Sequence, residues 1–187
     1  MKLSLKYMLA LLLSCLGWSG GTSGESGERP WVLVDTEKLT LSIMRGERPE
    51  LVLEDIAIGR FGTTRAKHRG DNRTPLGEFR IAWIKWDSRF HRFIGLDYPN
   101  LEHGRGGFEA GRISAKQWRA IQKAQADRDL PPQNTPLGGQ IGLHGIGEGD
   151  LRTHRDFNWT HGCVALTNEQ IDRLLQRVGL GTRVVIR

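Results

Sequence analysis

The chain has 187 residues, enough for one domain with its own core and too few for two of ordinary size. Hydrophobic residues make up 38% and charged residues 26%, proportions that exclude a disordered chain. The formal charge of +6 comes from Arg and Lys scattered among acidic neighbours, as in Gly46-Glu47-Arg48. That pattern argues against a nucleic-acid binder, whose basic residues cluster on one helix or stripe.

Residues 1–19 read as an export leader. Lys2 and Lys6 supply its positive end, and Tyr7–Leu13 an apolar run too short to span a bilayer. Leu12-Leu13-Ser14-Cys15 resembles a lipobox, so two fates stay open. One is a lipid anchor at Cys15, the sole membrane attachment expected; the other is plain cleavage near Ser19–Gly21. Residues 20–29 have the composition of a flexible linker. The domain proper is expected over 30–187, in the periplasm or cell envelope.

From Trp31 the chain reads as strands. Trp31–Val34 is an apolar run, and then Leu39, Leu41 and Ile43 alternate with Lys38, Thr40 and Ser42, the period of a half-buried strand. Leu51–Leu53, Ile56–Ile58, Phe79–Lys85, Phe93–Tyr98 and Thr182–Ile186 continue the pattern between Gly and Pro clusters. Two capping boxes mark helices. Ser114 with Gln117 opens one that carries Trp118, Ile121 and Gln125; Thr167 with Gln170 opens one that carries Ile171, Leu174, Leu175 and Val178 and stops at Gly179. The expectation is a mainly β domain, an antiparallel sandwich or barrel-like arrangement with two short helices.

Cys163 is the one cysteine beyond the leader. An unpaired thiol in an exported domain points to chemistry rather than stapling. It needs a base or a positive neighbour, because a free thiol of pKa about 8.5 is mostly protonated at neutral pH. His144, at the end of the apolar run Ile141–His144, can supply the base. Gly162 lets backbone approach a substrate closely, which leaves the Gly162 and Cys163 N–H groups for a developing oxyanion. The thiolate is expected to be stabilised at rest, and to alkylate faster than a free thiol at about pH 6–7.

His144-Gly145, a spacer, then Thr160-His161-Gly162-Cys163 resembles the signature of the L,D-transpeptidase catalytic domain, the YkuD type. Gly70–Phe79, with Thr74-Pro75-Leu76-Gly77, is similar to a loop of the same family, as are Tyr98-Pro99-Asn100 and Thr135–Gly139. The resemblance implies an enzyme of peptidoglycan with no cofactor and no metal. Cys163 attacks the third stem residue, commonly meso-diaminopimelate, and expels the terminal D-alanine. His144 takes the thiol proton and the Gly145 carbonyl orients its imidazole. His161, Gly162 and Cys163 form the oxyanion site, with Thr160 beside them. The thioester then passes to an amine of a second stem, to a wall-attached protein or to water.

One position departs from the family. Two residues after the cysteine, where many relatives carry Arg or Asn, this chain has Ala165. The polar contact is either missing or supplied elsewhere, by Arg152, Arg155 or Arg73, and hydrolysis becomes a competitor to transpeptidation. His144, His154, His161 and Cys163 are also zinc-ligand types, but their spacing fits no compact structural-zinc pattern.

Overall fold

The computed structural model describes residues 28–187. The expected leader, Cys15 and nearly all of the 20–29 linker lie outside them. Strands β1 (Trp31–Asp35), β2 (Thr40–Arg45) and β3 (Arg48–Leu53) form an antiparallel meander. Two-residue β4 (Thr63–Thr64) and β5 (Thr74–Pro75) pair with each other, and β6 (Gly77–Ser88) and β7 (His91–Leu96) form a long hairpin. Helices α1 (Leu101–Glu109) and α2 (Ala115–Asp127) follow, then β8 (Gly142–His144), α3 (Leu151–Asp156), β9 (Val164–Ala165), α4 (Asn168–Leu175) and β10 (Arg183–Ile186).

Eight strands make one sheet in the order β3-β2-β1-β10-β6-β7-β8-β9. The mainly β expectation holds, but the sheet is mixed: β1 pairs with β10 and β8 with β9 in parallel. Strand β6 joins its two halves. Gly77–Arg80 pair with β10, and from Ile81 the strand pairs with β7 across a register shift at Ile81/Trp83. A bulge of this kind lets one strand serve two sheet directions. The expected strand at Ile56–Ile58 is a single bridge, Ala57 with Ala165, on the free edge of β9.

Both capping boxes form as read, with Ser114 and Thr167 accepting from the N–H groups of Gln117 and Gln170. The second helix is shorter than expected and ends at Leu175, before Gly179. Among the described residues the helices number four, not two. Helix α1 escapes detection because its Gly104 and Gly107 resemble loop residues. They are there for close approach: a Cβ on Gly104 would stand 2.6 Å from the Trp118 ring, and one on Gly107 2.6 Å from Leu137. One continuous core runs from Val32 and Val34 through Phe79, Ile94 and Leu143 to Ile171 and Leu174. Among the described residues, no helix is long and apolar enough to cross a membrane.

Candidate active site

Strand register relates two of the expected site residues. In the parallel β8/β9 pair His144 stands opposite Ala165, and Leu143 opposite Val164. Side chains alternate along a strand, so continuing back from Ala165 puts Cys163 on the His144 face. The β9 strand is pinned on its other side by two Ala57–Ala165 backbone bonds of 3.0 and 2.7 Å.

His144 is 2% exposed and packed in aromatic rings. Phe90 stacks on it at 4.2 Å between centroids, Phe93 lies at 5.8 Å, and Trp159 meets it edge-on at 5.8 Å. Its Nδ1 lies 2.7 Å from the Gly145 carbonyl. A carbonyl only accepts, so Nδ1 carries the hydrogen and Nε2 presents a lone pair. Burial pulls its pKa down to about 4, against the Gly145 bond, which favours protonation. The imidazole is therefore neutral near pH 7 and able to accept a proton.

Cys163 is half-buried as a residue, and its thiol donates to the Gln140 carbonyl at 3.5 Å. Burial pushes the thiol up to about 11, against a backbone contact at Gly142 and the charge of Lys67. The resting thiolate expected from the sequence is thus disfavoured, because the sulfur sits too deep to be solvated as an anion.

The loop before Cys163 also differs from expectation. Thr160 is 3% exposed, and its hydroxyl donates to the Cys163 carbonyl at 2.6 Å while accepting from the Gly162 N–H at 3.1 Å. The hydroxyl therefore fixes the loop rather than facing substrate, and the Gly162 N–H expected for the oxyanion is already occupied. The His161 and Cys163 N–H groups have no partner among the described residues. Gly162 has φ +126° and is backed by the Arg73 carbonyl and Lys67. The exposed His161 ring has Nε2 3.4 Å from the Arg60 guanidinium.

A groove of about 420 Å³ runs past His161 and Gln140, with Lys67, Arg69, Gln133 and Asn134 on its walls. The arginines expected to replace the missing Arg are not in it. Arg152 pairs with Asp156 at 3.5 Å on the surface, Arg73 donates to the Thr63 carbonyl at 3.2 Å, and Arg155 is exposed outside the groove. Ala165 is itself fully buried. A larger cavity of about 840 Å³, walled by Trp31, Arg80, Asp97 and Arg183, holds no nucleophile and is remote in sequence from this loop. Among the described residues no three His, Cys, Asp or Glu side chains group as a metal site. His154 is buried with its Nδ1 3.4 Å from the Trp159 indole N–H, a contact that steadies the ring edge on His144. Sequence reasoning missed this aromatic surround and Lys67, since neither burial nor stacking leaves a local signal.

A family model, that of the YkuD L,D-transpeptidase catalytic domain, matches residues 29–186. Among solved structures, the chain is similar to the helical cell shape determining protein Pgp2 from Campylobacter jejuni, at 19% identity and a TM-score of 0.58, over 85% of this chain and 47% of that one. It is also similar to Bd1075 of Bdellovibrio bacteriovorus, at 22% identity and a TM-score of 0.53, over 86% of this chain and 48% of that one. At these identities the likeness is one of fold. The chain spans about half the length of both proteins. No curated protein matches it.

Proposed function

The chain belongs to the L,D-transpeptidase catalytic domain family, and from that premise we propose that it is an exported cysteine acyltransferase acting on peptidoglycan stem peptides. The observation that carries the reading is the His144 imidazole, its Nδ1–H held by the Gly145 carbonyl at 2.7 Å, on a strand whose register puts His144 on the same sheet face as Ala165, two residues after Cys163. In this mechanism Nε2 removes the thiol proton as sulfur attacks the carbonyl of the third stem residue. The oxyanion is received by the free His161 and Cys163 N–H groups. Collapse breaks the peptide bond, the imidazolium returns its proton to the departing D-alanine amine, and a thioester remains on Cys163. The amine of a second stem then attacks the thioester, and Cys163 regains its proton.

A second reading has water as the final acceptor, giving an L,D-carboxypeptidase or an enzyme that releases wall-attached protein. Ala165 favours it, because a fully buried alanine offers nothing to grip an acceptor. Mass spectrometry of muropeptides incubated with the protein separates the two. Dimers cross-linked between third residues are expected for the transpeptidase, and trimmed tripeptides alone would replace it with the hydrolase. Loss of neither activity in Cys163→Ala would overturn both.

A further inference from the structure

Beneath the Cys163 loop lies a buried ion pair that the mechanism above does not use. The Lys67 Nζ is 2.7 Å from Asp71 Oδ1, and the two side chains are only 3% and 6% exposed. The ammonium also donates to the Arg73 carbonyl at 2.8 Å. Asp71 accepts from the backbone N–H groups of His68 and Arg73, each at 3.0 Å. Burial raises the Asp71 carboxyl, but the bond from Lys67 and the two N–H groups more than offset this and hold it ionised. Two of the three ammonium hydrogens are thus assigned, and the third is not.

The pair abuts the nucleophile loop. A Cβ on Gly162 would stand 2.9 Å from Lys67 Nζ and 2.6 Å from the Arg73 oxygen. Its two charges act in different places. The negative end acts on the buried phenol of Tyr98, and the positive end acts on the Cys163 thiol. Other ionisable groups near the sulfur are His144, neutral for the reason given, and His161, whose ring faces Arg60.

We propose that Lys67, anchored by Asp71, is the positioning residue that stabilises negative charge on Cys163 as His144 takes its proton. The inference rests on Cys163 being the nucleophile. It also meets the departure at Ala165: the positive charge comes from a loop far back in the chain, not from the strand after the cysteine. At the short range of a packed loop, and screened little by water, one ammonium weighs more than several solvated arginines.

The test is the pH profile of Cys163 alkylation by iodoacetamide, followed by intact mass. Lys67→Gln alone strands the Asp71 charge and risks unfolding. Lys67→Gln/Asp71→Asn removes both charges together and keeps polar groups of similar size. The double variant is expected to alkylate about tenfold more slowly than wild type at each pH up to 10, a shift of about one pKa unit. Lys67→Arg is expected to keep most of the wild-type rate. A folded double variant with the wild-type profile would overturn the proposal, because a merely structural pair would change stability and not that profile. Turnover surviving in Cys163→Ala would instead refute the proposed function, while the alkylation profile would still judge Lys67.

Discussion

The resting state of the proposed Cys163–His144 pair decides which kind of cysteine enzyme this fold would make. Burial places the Cys163 thiol at about 11 and the His144 imidazole at about 4. Both shifts oppose moving a proton from sulfur to imidazole, since the sulfur would lose solvation as an anion and the imidazole as a cation. A thiolate–imidazolium pair is therefore disfavoured at rest, and on the proposed mechanism His144 acts as a general base while the substrate carbonyl is being attacked. At pH 8 a free thiol of pKa about 8.5 is roughly a quarter ionised, whereas one near 11 is ionised about one part in a thousand. Iodoacetamide should thus modify Cys163 roughly a hundredfold more slowly than a free cysteine derivative at pH 8, with the rate still rising at pH 10. His144→Ala should abolish turnover without slowing alkylation, since no ion pair is lost. An alkylation rate that levels off below pH 8 and falls in His144→Ala would refute the reasoning and restore the ion pair.

Acid should loosen the fold through buried imidazoles. His103 and His144 are both lowered to about 4, chiefly by burial, from an ordinary value near 6.5. Above pH 6.5 neither native nor unfolded chain protonates them. As pH falls toward 4 the unfolded chain takes up protons that the native one refuses, so stability is lost on acidification. The two together cost about 5 kcal/mol between pH 7.5 and 4.5, read as a lower urea midpoint; an unchanged midpoint would count against their burial. Gly162→Ala forces a side chain onto a backbone at φ +126°, 2.6 Å from the Arg73 oxygen. It should lower stability by about 2 kcal/mol and slow turnover, checked by urea unfolding and muropeptide assay, and a variant equal to wild type in both would show that the loop can yield.

What could be read in the sequence was local. Ser114 with Gln117 and Thr167 with Gln170 mark helix starts because each box satisfies its own backbone N–H groups within one turn. The Asp150 carboxylate, accepting from Thr153 N–H at 2.7 Å, is the same kind of signal for α3 and was legible too. The neighbouring glycines at 145, 147 and 149 masked it. His144 and Cys163 could be singled out because one closes the apolar run Ile141–His144 and the other precedes the run Val164–Leu166. The protonation of the pair could not be anticipated, because the aromatic rings around His144 come from the β6–β7 turn, from β7 and from the loop before Cys163. Lys67 sits between Arg65 and Arg69 and reads as one more solvated cation. Only the folded loop shows Asp71 curling back on it.

Strand β10 has a consequence for the order of assembly. It lies between β1 and β6, near the middle of the sheet, although it is the last element of the domain to be synthesised. Until Arg183–Ile186 emerge, the β1–β3 meander and the β6–β9 segment have no shared ladder, and Val32 and Phe79 have no Val184 between them. A nascent chain can therefore collapse into two partial sheets but cannot close the core. Removal of the last five residues should leave two half-domains that are soluble only with a chaperone, rather than a slightly weakened enzyme.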